Sequence, residues 1–397
     1  MSFLRAARAA LASQSCFRRI VAAVAVVIVL AGLSLSCGSS SQNPTGSNHN
    51  AYVTLPANGS VLLLHINGAT GAITVGGETP RVPNTSPRGL ALLPSKPPSK
   101  KFLYAVNSNP LADSISIFNV ASDGTLTLTG ASTAAGSSPN AAVIDPSGKY
   151  LLVTNSSVSD GSVSVFSIDA SSGALSPVGL PVPANSNPTE ILITPSGKFV
   201  YVTNPGLGMI TAFAFSSGVL TQVTGSPFLS LPAGGGGASG LAVDASEQFL
   251  YVTNPSAPNP LQSNTGNISG FNIDPGTGAL TPILGSPFTS TVGNGPIAIT
   301  VDPRGQFVYA ATAESSSSVW CFAIDPTNGQ LKAVTGSPFS LTAGVLFALI
   351  DPSGNFFYIG GTGIAGYTYN PATGAPTVIS GSPFSTGTAP GKMVFSE

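Results

Sequence analysis

One phrase recurs through this chain and limits what it can fold into. "TPSGKFVYVTN" (Thr194 to Asn204) returns as "DPSGKYLLVTN" ending at Asn155, "DASEQFLYVTN" ending at Asn254, "DPRGQFVYAAT" ending at Thr312 and "DPSGNFFYIGG" ending at Gly361. Its strand can be followed through Tyr52, Tyr104, Leu152, Tyr201, Tyr251, Tyr309 and Tyr358, seven copies spaced 52, 48, 49, 50, 58 and 49 residues apart. A fixed period of this length marks a repeat architecture. Each unit holds four short β segments, which the fourth copy shows in order: "EILIT", "KFVYVTN", "MITAFAF" and "VLTQVTG". Between the first two lies Pro-Ser-Gly after Asp or Thr, which suits a type I turn, because proline presets φ at the second position and glycine ends it. The second segment is apolar on both faces, Phe199 and Tyr201 on one and Val200 and Val202 on the other. Such a strand must be covered on both sides.

The third segment carries a large apolar residue in one register: Leu64, Phe118, Phe166, Phe213, Phe271, Phe322 and Tyr367. This column reads as packing between sheets. "GSPF" then closes four units, at Phe228, Phe288, Phe339 and Phe384. Seven four-stranded units, none able to bury two apolar faces alone, predict an all-β, seven-bladed β-propeller of four-stranded blades over 51–397. Small residues on the inner segments, such as Ala91, Ala142, Ala242, Ala298 and Ala348, suit the tapering centre. "PGKMVF" (Pro390 to Phe395) matches a first segment with no unit after it, whereas Ala51 to Thr54 begins a unit that lacks one. The C-terminal strand is therefore expected to pair into the first blade and close the ring.

The N-terminus is a separate object. Arg5, Arg8, Arg18 and Arg19 precede the apolar run Ile20 to Leu35, followed by Ser36, Cys37 and Gly38. That is the order of an export signal, assigned to residues 1–37. Cys37 is placed as in a bacterial lipoprotein processing site, although Ser34 stands where such sites usually carry leucine. Lipidation of Cys37 and a lipid anchor in the membrane are expected, with an uncleaved anchor or ordinary secretion as alternatives. All three put the body outside the cytoplasm, in the cell envelope. Gly38 after Cys37, in place of aspartate, favours the outer membrane in a cell with two. Residues 38–50, "GSSSQNPTGSNHN", read as a flexible polar tether.

Composition narrows the partners. Charged residues make up 7% of the chain and the net charge is −1, which leaves no electrostatic footprint for nucleic acid. With Cys16 and Cys37 in the N-terminal segment, Cys321 stands alone and no disulfide framework supports the fold. No histidines or cysteines have metal-ligand spacing, and no dinucleotide fingerprint or phosphate loop is present, so neither a metal nor a cofactor is expected.

"YVTN", "DPSGKF" and "GSPF" at this period resemble the YVTN-repeat and lactonase-type seven-bladed propellers, and the likeness runs from about Ala51 to Glu397. It implies the propeller fold and, for the lactonase-type members, hydrolysis of a lactone. Those relatives often carry a histidine two residues after the proline that opens an inner strand. The corresponding residues here are Gly89, Ala141, Glu190, Ala298 and Lys392.

A site is expected on the face that carries the variable connections, such as Pro255 to Asn267 and Ser108 to Asp113, because variable loops on a rigid scaffold are where binding is usually found. Internal alignment puts Arg88, Asn140, Thr189, Glu190, Ile297, Leu346 and Lys392 at or near the mouth of the central channel. Two functions remain open, beside a purely structural role in the envelope. In one the propeller is a binding or interaction scaffold that meets a protein, glycan or small molecule, with Asn140, Thr189 and Trp320 among its ligand contacts. In the other it is a lactonase-like hydrolase in which Glu190 is the general base and Arg88 and Lys392 stabilise an oxyanion.

Other polar residues read as architecture. Trp320 fills a gap between blades if it does not stack on a ligand, and Cys321 is expected to be a small buried hydrophobe. His65 takes an ordinary strand position and His49 lies in the tether. Asp145, Asp302 and Asp351, and likewise Asp169, Asp274 and Asp325, open turns by bonding backbone N–H groups. Asn107, Asn155, Asn204 and Asn254 are assigned the same role at the ends of second strands.

Overall fold

Seven antiparallel sheets follow one another along the chain, six of them laid down in sequence order from inner strand to outer. The computed structural model describes residues 47–82, 85–93, 101–109, 113–231, 237–255, 266–289, 295–313, 317–341 and 344–396. The export signal, Cys37 and residues 38–46 of the tether lie outside the described residues, as do 256–265 and 110–112 of the two long connections. The fourth blade has strands Ile191–Ile193, Phe199–Asn204, Met209–Ser216 and Val219–Gln222, the four segments read from its sequence.

The first blade is closed by the end of the chain. Met393–Phe395 pairs antiparallel with His49–Leu55, setting Val394 opposite Tyr52. Backbone bonds continue the ladder at either end, from Thr54 N to Lys392 O (2.9 Å) and from Ser396 N to Asn50 O (2.7 Å). This pairing draws His49 and Asn50 out of the expected tether and into the strand. His49 packs edge-on against Phe395 and faces Asp351 of the seventh blade at 3.8 Å.

The outer edge departs from a plain four-stranded blade. In three sheets a short fifth strand, Val182–Pro183, Phe228–Leu229 or Phe339–Ser340, pairs with the third strand beyond the point where the fourth leaves it. In the "GSPF" phrases the Ser–Pro bond is cis, and the serine hydroxyl accepts a third-strand N–H, as Ser226 does from Ala212 (2.9 Å) and Ser382 from Gly366 (3.0 Å). The phrase thus bridges two half-strands.

Buried apolar side chains gather into seven clusters, one at each junction between neighbouring blades. Each contains one member of the third-segment column, from Leu64 to Tyr367. The turn aspartates act as expected: the Asp145 carboxylate accepts the N–H groups of Lys149 (2.8 Å) and Tyr150 (2.7 Å), and Asp274 accepts those of Gly276 and Thr277. The strand-end asparagines differ. Asn107, Asn155 and Asn254 donate to hydroxyls of Ser116, Ser164 and Ser269, each two residues along the third strand from the residue directly opposite, and of the four only Asn204 bonds backbone carbonyls.

The repeated phrase itself is a clasp on the next blade. Tyr52, Tyr104, Tyr201, Tyr251, Tyr309 and Tyr358 each donate their hydroxyl, at 2.8–3.0 Å, to the carbonyl of a turn glycine: Gly124, Gly173, Gly278, Gly329, Gly374 and Gly71. Those glycines have positive φ, and the aromatic two residues before the tyrosine lies over most of them. A Cβ on Gly278 would sit 2.4 Å from Phe199, so the turn needs glycine for both its backbone and its cover. The junction of blades 3 and 4 has the cover, Tyr150 against Gly218, but Leu152 in place of the donor. Burying an aromatic is worth about 1.5–3 kcal/mol, and such a hydrogen bond about 0.5–1.5 kcal/mol net. Packing therefore holds the blades together, and the hydroxyl fixes their relative position.

Two outcomes follow. Removing Thr388 to Glu397 exposes the inner edge of the first blade and should abolish the single cooperative thermal transition seen by circular dichroism; an unchanged melt would refute the closure. Burial pushes the Tyr52 hydroxyl up to about 12 and raises those of Tyr104, Tyr201, Tyr251, Tyr309 and Tyr358 further. In the unfolded chain these groups ionise near 10, so the unfolded state gives up protons first. Stability is full below pH about 10 and falls as pH rises towards 12 and beyond. Tyr251→Phe should be about 1–3 kcal/mol less stable at pH 7, through the orphaned Gly329 carbonyl. It should then lose less than the parent between pH 9 and 12 in denaturant titrations.

Candidate functional site

The inner strands surround a cavity of about 220 Å³ on the ring axis, to which every blade contributes. Around it stand Lys392, Gly89, Ala141, Glu190, Gly240, Ile297 and Leu346, from blades 1 to 7 in turn. The threonine of "YVTN" sets four of these. Thr203 Oγ1 accepts the N–H of Glu190 (3.1 Å), Thr54 that of Lys392 (2.8 Å), Thr154 that of Ala141 (3.0 Å) and Thr253 that of Gly240 (2.8 Å). Sequence reasoning missed this role, although the threonine recurs at one position of the phrase.

Glu190 and Lys392 are the charged residues of the lining, and they meet. Lys392 Nζ bonds Glu190 Oε1 from three blades away round the ring, so the pair spans the cavity. Both side chains keep about a third of their surface in solvent, 32% for Lys392 and 29% for Glu190. The arrangement puts an acceptor of protons and a cationic donor on the same small space, as a hydrolytic site needs.

The other predicted residues lie elsewhere. Arg88 is exposed and outside the cavity lining, to which this blade contributes Gly89 and Leu90; its expected place beside Glu190 and Lys392 is corrected. Asn140 and Thr189 are not free for a ligand in the expected way. Asn140 donates to the Thr189 carbonyl (3.2 Å), which ties blade 3 to blade 4, and the Thr189 hydroxyl pairs with that of Thr203 (3.1 Å) within blade 4. Trp320 is fully buried between blades 5 and 6 among Phe249, Tyr251 and Phe322. Gap filling holds, and stacking on a ligand is corrected. Cys321 is buried, its thiol donating to the Gly374 carbonyl (3.3 Å), and burial pushes it up to about 12. His65 lies exposed on the third strand of the first blade, bonded to Asn50 (2.8 Å). Among the described residues no group of three His, Cys, Asp or Glu is placed to hold a metal ion.

A closed ring of seven antiparallel sheets defines the class: a seven-bladed β-propeller. Residues 43–187 and 230–347 match the family described as lactonase, 7-bladed beta-propeller, and the chain belongs to it. A 6-phosphogluconolactonase of Formosa agariphila is 49% identical over 59 residues; the match spans 15% of this chain and 17% of that protein. Among solved structures, a candidate 6-phosphogluconolactonase of Bacteroides fragilis superposes with TM-score 0.72 at 22% identity, covering 91% of this chain and 100% of that one. The periplasmic gluconolactonase of Pseudomonas aeruginosa does so with TM-score 0.71 at 18% identity, covering 88% and 99%. At such identities the likeness establishes the fold.

A partly solvated ion pair of this kind adds about 0.2–1 kcal/mol to stability. A double-mutant cycle with Glu190→Gln and Lys392→Met, followed by urea unfolding, should give a coupling energy in that range and leave the transition cooperative. A coupling of several kcal/mol would mean that the pair is a structural brace.

Proposed function

We propose that this propeller hydrolyses a lactone at the axial cavity, with Glu190 as general base and Lys392 as the group that stabilises the oxyanion. The observation that carries the proposal is the meeting of these two side chains inside a cavity lined by all seven blades. Membership of the lactonase family supports it. The substrate carbonyl enters between the two groups, its oxygen taking the Lys392 Nζ–H that Glu190 held. Glu190 removes a proton from a water, whose oxygen adds to the carbonyl carbon. The tetrahedral oxyanion then collapses, the bond from carbonyl carbon to ring oxygen breaks, and the ring oxygen leaves with the proton from Glu190. One water is consumed and one hydroxy acid is formed.

The proposal includes a location outside the cytoplasm with an acylated Cys37, for which the N-terminal residue pattern is the support. A second reading, binding without turnover at the variable-loop face, draws on one feature. The cavity's two charges satisfy each other when no ligand is present, and none of the positions two residues after the inner-strand prolines is a histidine.

Acid release from a panel of γ- and δ-lactones, followed in a pH-stat with the purified protein, tests hydrolysis. Turnover should fall about 10²–10⁴-fold in Glu190→Gln, the usual contribution of a positioned base, with far-ultraviolet circular dichroism unchanged. No release above the uncatalysed rate, or full activity in Glu190→Gln, would overturn the assignment.

A further inference from the structure

We infer that the lactone taken at this site is small and uncharged and carries a short hydrocarbon substituent, in place of the hydroxyls or phosphate of a sugar lactone. This rests on the hydrolase reading above and narrows its substrate class. The cavity, at about 220 Å³, is smaller than the roughly 300–1,000 Å³ usual for small-molecule sites. A five- or six-membered ring with a few further carbons fills such a space.

The lining decides the polarity. Eighteen described residues face the cavity, and only Glu190 and Lys392 among them have polar side-chain atoms. Hydrolysis occupies both: Lys392 on the carbonyl oxygen, Glu190 on the water. No other lining side chain is left to pair with substrate hydroxyls, and no second cation lines the cavity to hold a phosphate. Backbone groups at the free inner edges are the remaining polar atoms. Leu90, Ile191 and Met393 are buried in the clusters between blades, and the larger apolar side chains of the lining that keep open surface include Leu241, Ile297 and Leu346. Leu346 is 48% exposed, so it offers apolar surface that a ligand can still cover. A hydroxyl pressed against this wall loses water without gaining a partner, whereas an alkyl chain gains by leaving water. Arg88, the cation nearest the mouth in sequence register, stands outside the lining and does not change this balance.

The test compares kcat/KM of the full chain for δ-octalactone, glucono-δ-lactone and the 6-phosphate of the latter. δ-Octalactone should be favoured at least tenfold over both, and Leu346→Asn should lower that ratio. A sugar lactone turned over as well as δ-octalactone, or better, overturns the inference while leaving hydrolysis intact. If no lactone is hydrolysed, the hydrolase reading fails separately, and calorimetric titration with the lactam 6-propyl-2-piperidone decides the pocket's preference. Binding that weakens in Leu346→Asn upholds an apolar ligand class, and no binding removes it.

Discussion

A sheet that is oily on both sides cannot stand in water, and everything else in this molecule answers that constraint. The second strand of each blade is buried on both faces, as in Phe199–Asn204, where every residue is inaccessible or nearly so. Each blade must therefore be flanked twice, which for a finite stack is possible only in a ring. The seven junction clusters are the result. The tyrosine clasp then fixes how far each blade is rotated against the next, because a hydroxyl reaching one particular carbonyl tolerates little sliding.

Much of the fold was legible because its signals are local. The period, the Pro-Ser-Gly turns and the aromatic column each depend on residues a few places apart, and their repetition made them visible. The clasp was not legible in the same way: Tyr201 and Gly278 are both conspicuous, but nothing in the sequence says that a hydroxyl in one unit meets a carbonyl in the following one. Likewise nothing in the sequence says that the threonine oxygen of the phrase accepts an N–H of the inner strand. The asparagines were read as backbone binders, and the serines diagonally across the strand pair that take their N–H groups are set by the register, which no single unit of sequence displays.

Internal alignment located the site in part. It gave position along a strand, which brought out Glu190 and Lys392, but not which way a side chain faces. Arg88 is exposed while its neighbour Gly89 lines the cavity, and the closeness of blades 3 and 4 commits the Asn140 side chain to the Thr189 carbonyl. The charged pair also shows how a repeat acquires chemistry. Five of the seven places in register around the axis hold Gly89, Ala141, Gly240, Ala298 and Phe347, and the two that carry a charge lie on opposite sides, where long side chains can touch. The charges that the proposed chemistry uses come from the copies' differences, and the architecture from what they share.

The strand Met393–Phe395 is made last and yet belongs to the first sheet, together with a site residue at its threshold. During synthesis the other three strands of that sheet must wait with one border unpaired while more than three hundred residues are added. Lys392 reaches the axis only when the last strand arrives, so the pocket gains its positive charge at the moment the circle is complete. A chain caught before that moment would hold a lone carboxylate at its centre.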